Sequence, residues 1–180
     1  MLRATRRRAG NSLIEFTLVG IPTIFLLISI FEMSRGMWMY HTLASAVREG
    51  TRYAIAHGNS CNIYPNSCTS RIADVAARIR SYAVGIPPDQ IENVQFSTAT
   101  RTITCATLAN CLSYSGTGAV YWPGGTPGAA IDVGGNRLAA VEISAQYRFR
   151  SMIAMFWPGA PAVHFGTFVL PASSRELIQY

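Results

Sequence analysis

The hydrophobic pattern opens on an uninterrupted apolar run. From Phe16 to Phe31, FTLVGIPTIFLLISIF, there is no charge, and Leu13 and Ile14 extend the apolar character back across Glu15. This is slightly short of the roughly 20 residues that span a bilayer, and Met33 to Met39 make up the difference. A membrane helix is therefore expected over about residues 13–36. Beyond it Met33, Met37, Tyr40, Ala44, Val47, Thr51 and Ala54 lie alternately four and three residues apart, which draws a mostly apolar stripe along one helix face. The helix should thus run on from about Asn11 to His57, about 70 Å at about 1.5 Å per residue. Gly58 and Asn59 supply its C-terminal stop. At least half of the stripe is expected to pack on the chain's own globular part, and the rest to face other subunits. Small residues such as Gly36, Ala44, Ser45, Gly50 and Ala56 would admit another helix. Glu32 with Arg35, and Glu49 with Arg52, are i,i+3 pairs worth a few tenths of a kcal/mol each.

After this helix the pattern changes twice. Ser70 to Val84 places Ile72, Val75, Ala76, Ile79 and Ala83 on one face and Arg71, Asp74, Arg78 and Arg80 elsewhere. That predicts a short amphipathic helix with Thr69 as its cap and Gly85, Pro87 and Pro88 as its end. Strands are predicted at Glu92–Ser97, Arg101–Ala106, Leu138–Phe149 and Val163–Leu170, all rich in β-branched or aromatic residues. Val141, Ile143, Ala145, Tyr147 and Phe149 alternate with Glu142, Ser144, Gln146 and Arg148, so one face of an antiparallel sheet should be wet. Residues 113–136, rich in Gly, Ser, Thr and Pro, form a long loop. Its Tyr114, Tyr121 and Trp122 would either make an adhesive or subunit-contacting surface or tuck onto the sheet. The expected fold class is α+β: a leader at 1–10, a long helix at 11–58, and a globular domain at 59–180 with a short helix and a small antiparallel sheet.

Composition alters this picture at the N-terminus. The formal charge of +6 suggests nucleic acid, yet Arg3, Arg6, Arg7 and Arg8 lie in the first ten residues, and their removal leaves 11 Arg against 9 acidic residues. A basic cluster directly before an apolar run instead holds the N-terminus in the cytoplasm and places the downstream chain on the other side of the membrane. Its expected partner is the anionic surface of the inner membrane, and no nucleic acid. Cys61, Cys68, Cys105 and Cys111 all lie after the apolar run, in a compartment that permits disulfides. Their short spacings favour Cys61–Cys68 with Cys105–Cys111 among the three connectivities, with four buried free thiols as the alternative. A zinc site is disfavoured by the spacing and by the absence of a nearby His.

No enzyme, cofactor, metal or small-molecule substrate is expected. His41, His57 and His164 are scattered, and nothing in the sequence sets a nucleophile or carboxylate beside them. The glycines of residues 124–128 and 134–136 lack the spacing of a phosphate-binding loop.

The chemistry concentrates at Gly10-Asn11-Ser12-Leu13-Ile14-Glu15-Phe16. A carboxylate near the start of a membrane helix is costly and calls for a partner. Cleavage after Gly10 would create an α-ammonium on Asn11, about one turn from Glu15. In a filament the Glu15 carboxylate could pair with the Asn11 ammonium of a neighbouring subunit, offsetting the burial of both charges. A secretory signal cut at a small-residue site is opposed by the helix-compatible sequence downstream of the apolar run. An uncleaved anchor carrying a periplasmic binding or sensing domain is the competing reading.

These residues resemble the type IV prepilin processing signal: a short basic leader, Gly10, four residues, then Glu15. Phe16 stands where the main Flp-type prepilins usually carry Tyr. The run Ala46-Val47-Arg48-Glu49-Gly50-Thr51-Arg52-Tyr53-Ala54 resembles the A-x-R-E-G-x-R-Y-A signature of TadE-like proteins, minor pilin-like components of the Tad (tight adherence) apparatus. The leader, the Glu15-Phe16 pair, Pro22 and the final segment from Val163 to Glu176 are similar to the same family. The resemblance implies processing by prepilin peptidase at Gly10, Asn11, Glu15 and Phe16. It also implies assembly through a helix bearing Glu15, Pro22, Arg48, Glu49, Gly50, Arg52 and Tyr53, with other Tad pilins as partners. The expected location is the bacterial inner membrane, with a periplasmic C-terminal domain and incorporation into an extracellular pilus.

Overall fold

A computed structural model of the chain describes residues 9–57, 62–63, 66–67, 70–98, 102–115, 140–151 and 167–177. Residues 1–8 of the expected leader, Gly58 and Asn59, the Cys61–Cys68 pairing, Thr69, residues 116–136 of the long loop and His164 lie outside them.

The apolar run and the stripe beyond it form one helix, α1 (Ala9–Ala56), of 48 residues, about 72 Å at about 1.5 Å per residue. A two-residue hairpin comes next, β1 (Asn62–Ile63) with β2 (Asn66–Ser67). The second helix, α2 (Ile72–Tyr82), buries Ile72, Val75, Ala76 and Ile79, the face expected from its periodicity. Its N-cap is Arg71, whose backbone N–H donates to Asp74 Oδ2 at 2.9 Å; an acid in the first turn thus satisfies one of the backbone donors at the helix start. Gly85, at φ 82°, turns the chain out of α2, a conformation open to a residue without Cβ.

Strands β3 (Ile91–Ser97) and β4 (Thr102–Thr107) lead into a one-turn helix, α3 (Leu108–Leu112), which the sequence pattern did not indicate. Thr107 caps it, accepting from the Asn110 N–H. A disulfide joins Cys105 on β4 to Cys111 on α3. Strands β5 (Ala140–Arg150) and β6 (Thr167–Leu177) complete an antiparallel sheet in the order β4-β3-β5-β6. Strand β6 continues seven residues beyond the predicted Leu170, through Pro171. Proline lacks a ladder donor, but β6 is an edge strand, where that donor is not needed on the outer side. Between Glu92 and Gln95 the β3–β5 register shifts. Asn93 sits there at φ 50° and donates from Nδ2 to Gln146 Oε1 at 3.0 Å.

The alternation in β5 holds throughout. Val141, Ile143, Ala145, Tyr147 and Phe149 are buried, while Glu142, Arg148 and Arg150 are exposed. The buried face packs on α1, with α2 alongside, and one core joins Leu43, Val47 and Ala54 of α1 to Ile79 of α2 and Val94, Phe96, Ile143 and Leu108. Phe149 lies against Gly36, and Ile143 against Gly50. Six strand residues cover about 20 Å and fourteen helix residues about 21 Å, so β5 runs antiparallel to α1 down toward its bare half.

Candidate assembly helix and processing site

α1 carries two different surfaces in sequence. From Leu13 to Phe31 every residue is exposed except Gly20 and Ile28, which are half-buried. These 19 residues span about 28 Å, close to the roughly 30 Å hydrocarbon thickness of a bilayer. Their hydroxyls turn inward on the helix: Thr17 donates to the Ile14 carbonyl at 3.0 Å, Thr23 to Val19 at 2.7 Å and Ser29 to Phe25 at 2.8 Å. In hydrocarbon such groups have no water to turn to, so this local satisfaction suits a membrane span. Pro22 removes the donor that the Leu18 carbonyl would otherwise receive, a defect a span tolerates.

Gly10 and Asn11 lie within the first turn of α1, and Glu15 and Phe16 in the second, both exposed. The scissile Gly10–Asn11 bond of the expected signal is therefore succeeded by unbroken helix. Glu15 lies four positions after Asn11, a rise of about 6 Å. Cleavage would put a positive α-amino group and a positive helix end one turn from the carboxylate.

From Glu32 onward α1 meets the globular part, along a face displaced from the predicted stripe. Met33, Met37 and Tyr40, expected on it, are exposed, whereas Val47, Thr51 and Ala54 are buried. The residues that meet the domain are Glu32, Gly36, Met39, Leu43, Ala46, Val47, Gly50 and Ala54. The reason is close packing: Phe149 and Ile79 seat against the Cβ-less positions Gly36 and Gly50, which draws the domain onto the face bearing those glycines and leaves Met33, Met37 and Tyr40 outside it. Gly36 and Gly50, expected to admit a foreign helix, instead admit Phe149 and Ile79 of the same chain.

The Arg48–Ala54 signature is divided between two faces. Gly50, Thr51 and Ala54 are buried under the domain, while Arg48 and Arg52 are exposed. Arg52 Nη1 pairs with Glu49 Oε1 at 3.1 Å. The ring of Tyr53 stacks on His57 at 4.2 Å between centroids, and His57 Nδ1 lies 2.9 Å from the Tyr53 carbonyl oxygen. Burial, then the nearby Asp74 carboxylate, push the Tyr53 hydroxyl above its ordinary pKa, against a smaller opposite effect of Arg78.

Glu32 and Arg35 do more than the weak pair expected of them. Glu32 is 6% exposed, and Arg35 Nη1 reaches its Oε1 at 3.3 Å. Arg35 Nη2 also donates to the Arg150 carbonyl at 3.0 Å, and the guanidinium stands 4.8 Å from the centroid of Phe149. One side chain thus ties the first covered turn of α1 to the end of β5. The charges at the end of the apolar run were visible in sequence; the partner 115 residues away was not.

His41 is exposed, edge-on to Tyr40. Among the described residues no three His, Cys, Asp or Glu side chains gather as metal ligands would.

Residues 10–52 match the family model described as TadE-like protein, the family that the leader and the Arg48–Ala54 run resemble. The match opens at Gly10 and closes at Arg52, taking in the bare span and most of the covered helix. No curated protein and no solved structure matches the chain.

Proposed function

We propose, from the TadE-like match of residues 10–52, that the chain is a minor pilin-like structural subunit of a Tad-type (type IVb/Flp) pilus. Prepilin peptidase cuts it after Gly10, α1 carries it from the inner membrane into the assembly, and the sheet domain faces the periplasm and contributes to surface adhesion.

The observation that supports this reading most directly is the bare apolar length of α1 with Glu15 in its second turn. A plain anchor has no use for an acid inside its span, where an ionised side chain costs several kcal/mol. A cleaved subunit does, because its new Asn11 ammonium supplies the opposite charge to a neighbour. The Cys105–Cys111 disulfide fits an oxidising compartment for the domain.

N-terminal sequencing of the membrane-extracted protein tests the proposal. A first residue of Asn11 is expected, and an intact Met1 would leave an uncleaved anchored protein in its place. Gly10→Val is expected to block processing. Glu15→Val should be cut normally yet fail to enter filaments; normal assembly of that variant would overturn the charge-pairing account.

A further inference from the structure

We propose that the membrane-proximal end of the β-sheet is a second, lipid-contacting surface, with Phe168 and Val169 in the interfacial layer and Arg150 on acidic headgroups. The inference rests on α1 crossing the bilayer through Leu13–Phe31. It adds that the domain lies on the membrane surface and is not held clear of it.

The geometry fixes the height. If the bare stretch fills the hydrocarbon, its outer boundary falls at Phe31, and the headgroup layer continues for several ångströms beyond, about one to two helical turns. Arg35 and Gly36 stand in that layer. The end of β5 stands there with them, because Arg35 donates to the Arg150 carbonyl at 3.0 Å and Phe149 packs on Gly36. In the β5–β6 register Phe149 faces Phe168 and Arg150 faces Thr167, so the start of β6 is at the same level.

The side chains at that level suit an interface and not water. Phe168 is 60% exposed and Val169 is 53% exposed, although the rest of the described sheet hides its large apolar residues except Leu177 at the opposite end of β6. Phe31, Met33, Met37 and Trp38 are exposed on the neighbouring turns of α1, which extends the apolar collar to an aromatic of the kind that favours the membrane–water boundary. Arg150 is exposed beside them, and a cation at headgroup depth is attracted by anionic lipid with about 1 kcal/mol.

Tryptophan quenching by brominated lipid tests the proposal on the full chain in vesicles of phosphatidylcholine with phosphatidylglycerol. Phe168→Trp is expected to add emission that shallow-brominated lipid quenches several-fold more than the emission added by Leu177→Trp. Equal quenching at the two sites would overturn the proposal. Phe25→Trp reports on the span itself. If it is quenched while Phe168→Trp is not, α1 crosses the bilayer and the domain stands clear; if neither is quenched, both readings fall. Arg150→Glu combined with Phe168→Trp should lower the quenching when phosphatidylglycerol is present and leave it unchanged in phosphatidylcholine alone. An equal response in both lipids would remove Arg150 from the surface.

Discussion

Gly50 of α1 faces Ile79 of α2 so closely that a Cβ at position 50 would fall on Ile79 Cγ1 and stand 3.0 Å from its Cδ1. The two helices approach there through the absence of a side chain, and both residues are buried. Gly50→Ala should therefore cost about 1–3 kcal/mol through overpacking, despite the better helix propensity of Ala. Chemical denaturation of the detergent-solubilised protein measures it. Combined with Ile79→Ala, which removes both clashing atoms, Gly50→Ala should cost less than the sum of the two single changes, a coupling expected of residues in contact. Independent, additive effects would show that the contact is looser than described.

Arg35 and Arg52 make the same kind of i,i+3 pair, yet their truncation should differ. Arg52 is exposed and its pair with Glu49 is worth under about 1 kcal/mol. Arg35→Ala removes a charged hydrogen bond to the Arg150 carbonyl, the ring contact with Phe149 and an ion pair to a buried carboxylate. Its cost should be about 2 kcal/mol or more. Limited proteolysis between α1 and the sheet would accelerate in Arg35→Ala and not in Arg52→Ala. Equal sensitivity of the two variants would contradict the tying role of Arg35.

The Cys105–Cys111 bridge closes a short loop of sequence separation 6. A loop of that size is worth about 2 kcal/mol in the chain-entropy account. Replacing both cysteines with Ser should lower domain stability by about that amount, and dithiothreitol should do the same to the unmodified protein. A reductant effect that persists at full size in the double Ser variant would place the relevant bridge elsewhere.

Tyr53 gives a pH dependence with a definite sign. Its hydroxyl holds the proton more tightly in the fold than in the unfolded chain, because of burial and then Asp74. Stability from this group is complete below the ordinary phenol value of 10.0 and is lost as pH rises through the higher folded value. Tyr53→Phe should flatten the alkaline limb of the stability curve. An unchanged limb would assign it to other groups.

Features that depend on near neighbours were legible from the order of residues alone. Period-3.6 patterning marked α1 and the buried face of α2, strict alternation marked β5, and the uncharged run marked the bare span. Gly10, Glu15 and the Arg48–Ala54 run could be read as motifs because motif and spacing are local. Which face of α1 the domain occupies was settled by packing, since that depends on where Phe149 of β5 and Ile79 of α2 find room. Packing also turned Gly36 and Gly50 from openings for another subunit into seats for Phe149 and Ile79. It joined Arg35 to Arg150, carried β6 past Pro171 by placing it at the sheet edge, and formed α3 where a Thr cap and a disulfide outweigh a weak helical pattern. Most of these rest on contacts between residues far apart in the chain, whose energies no local window contains.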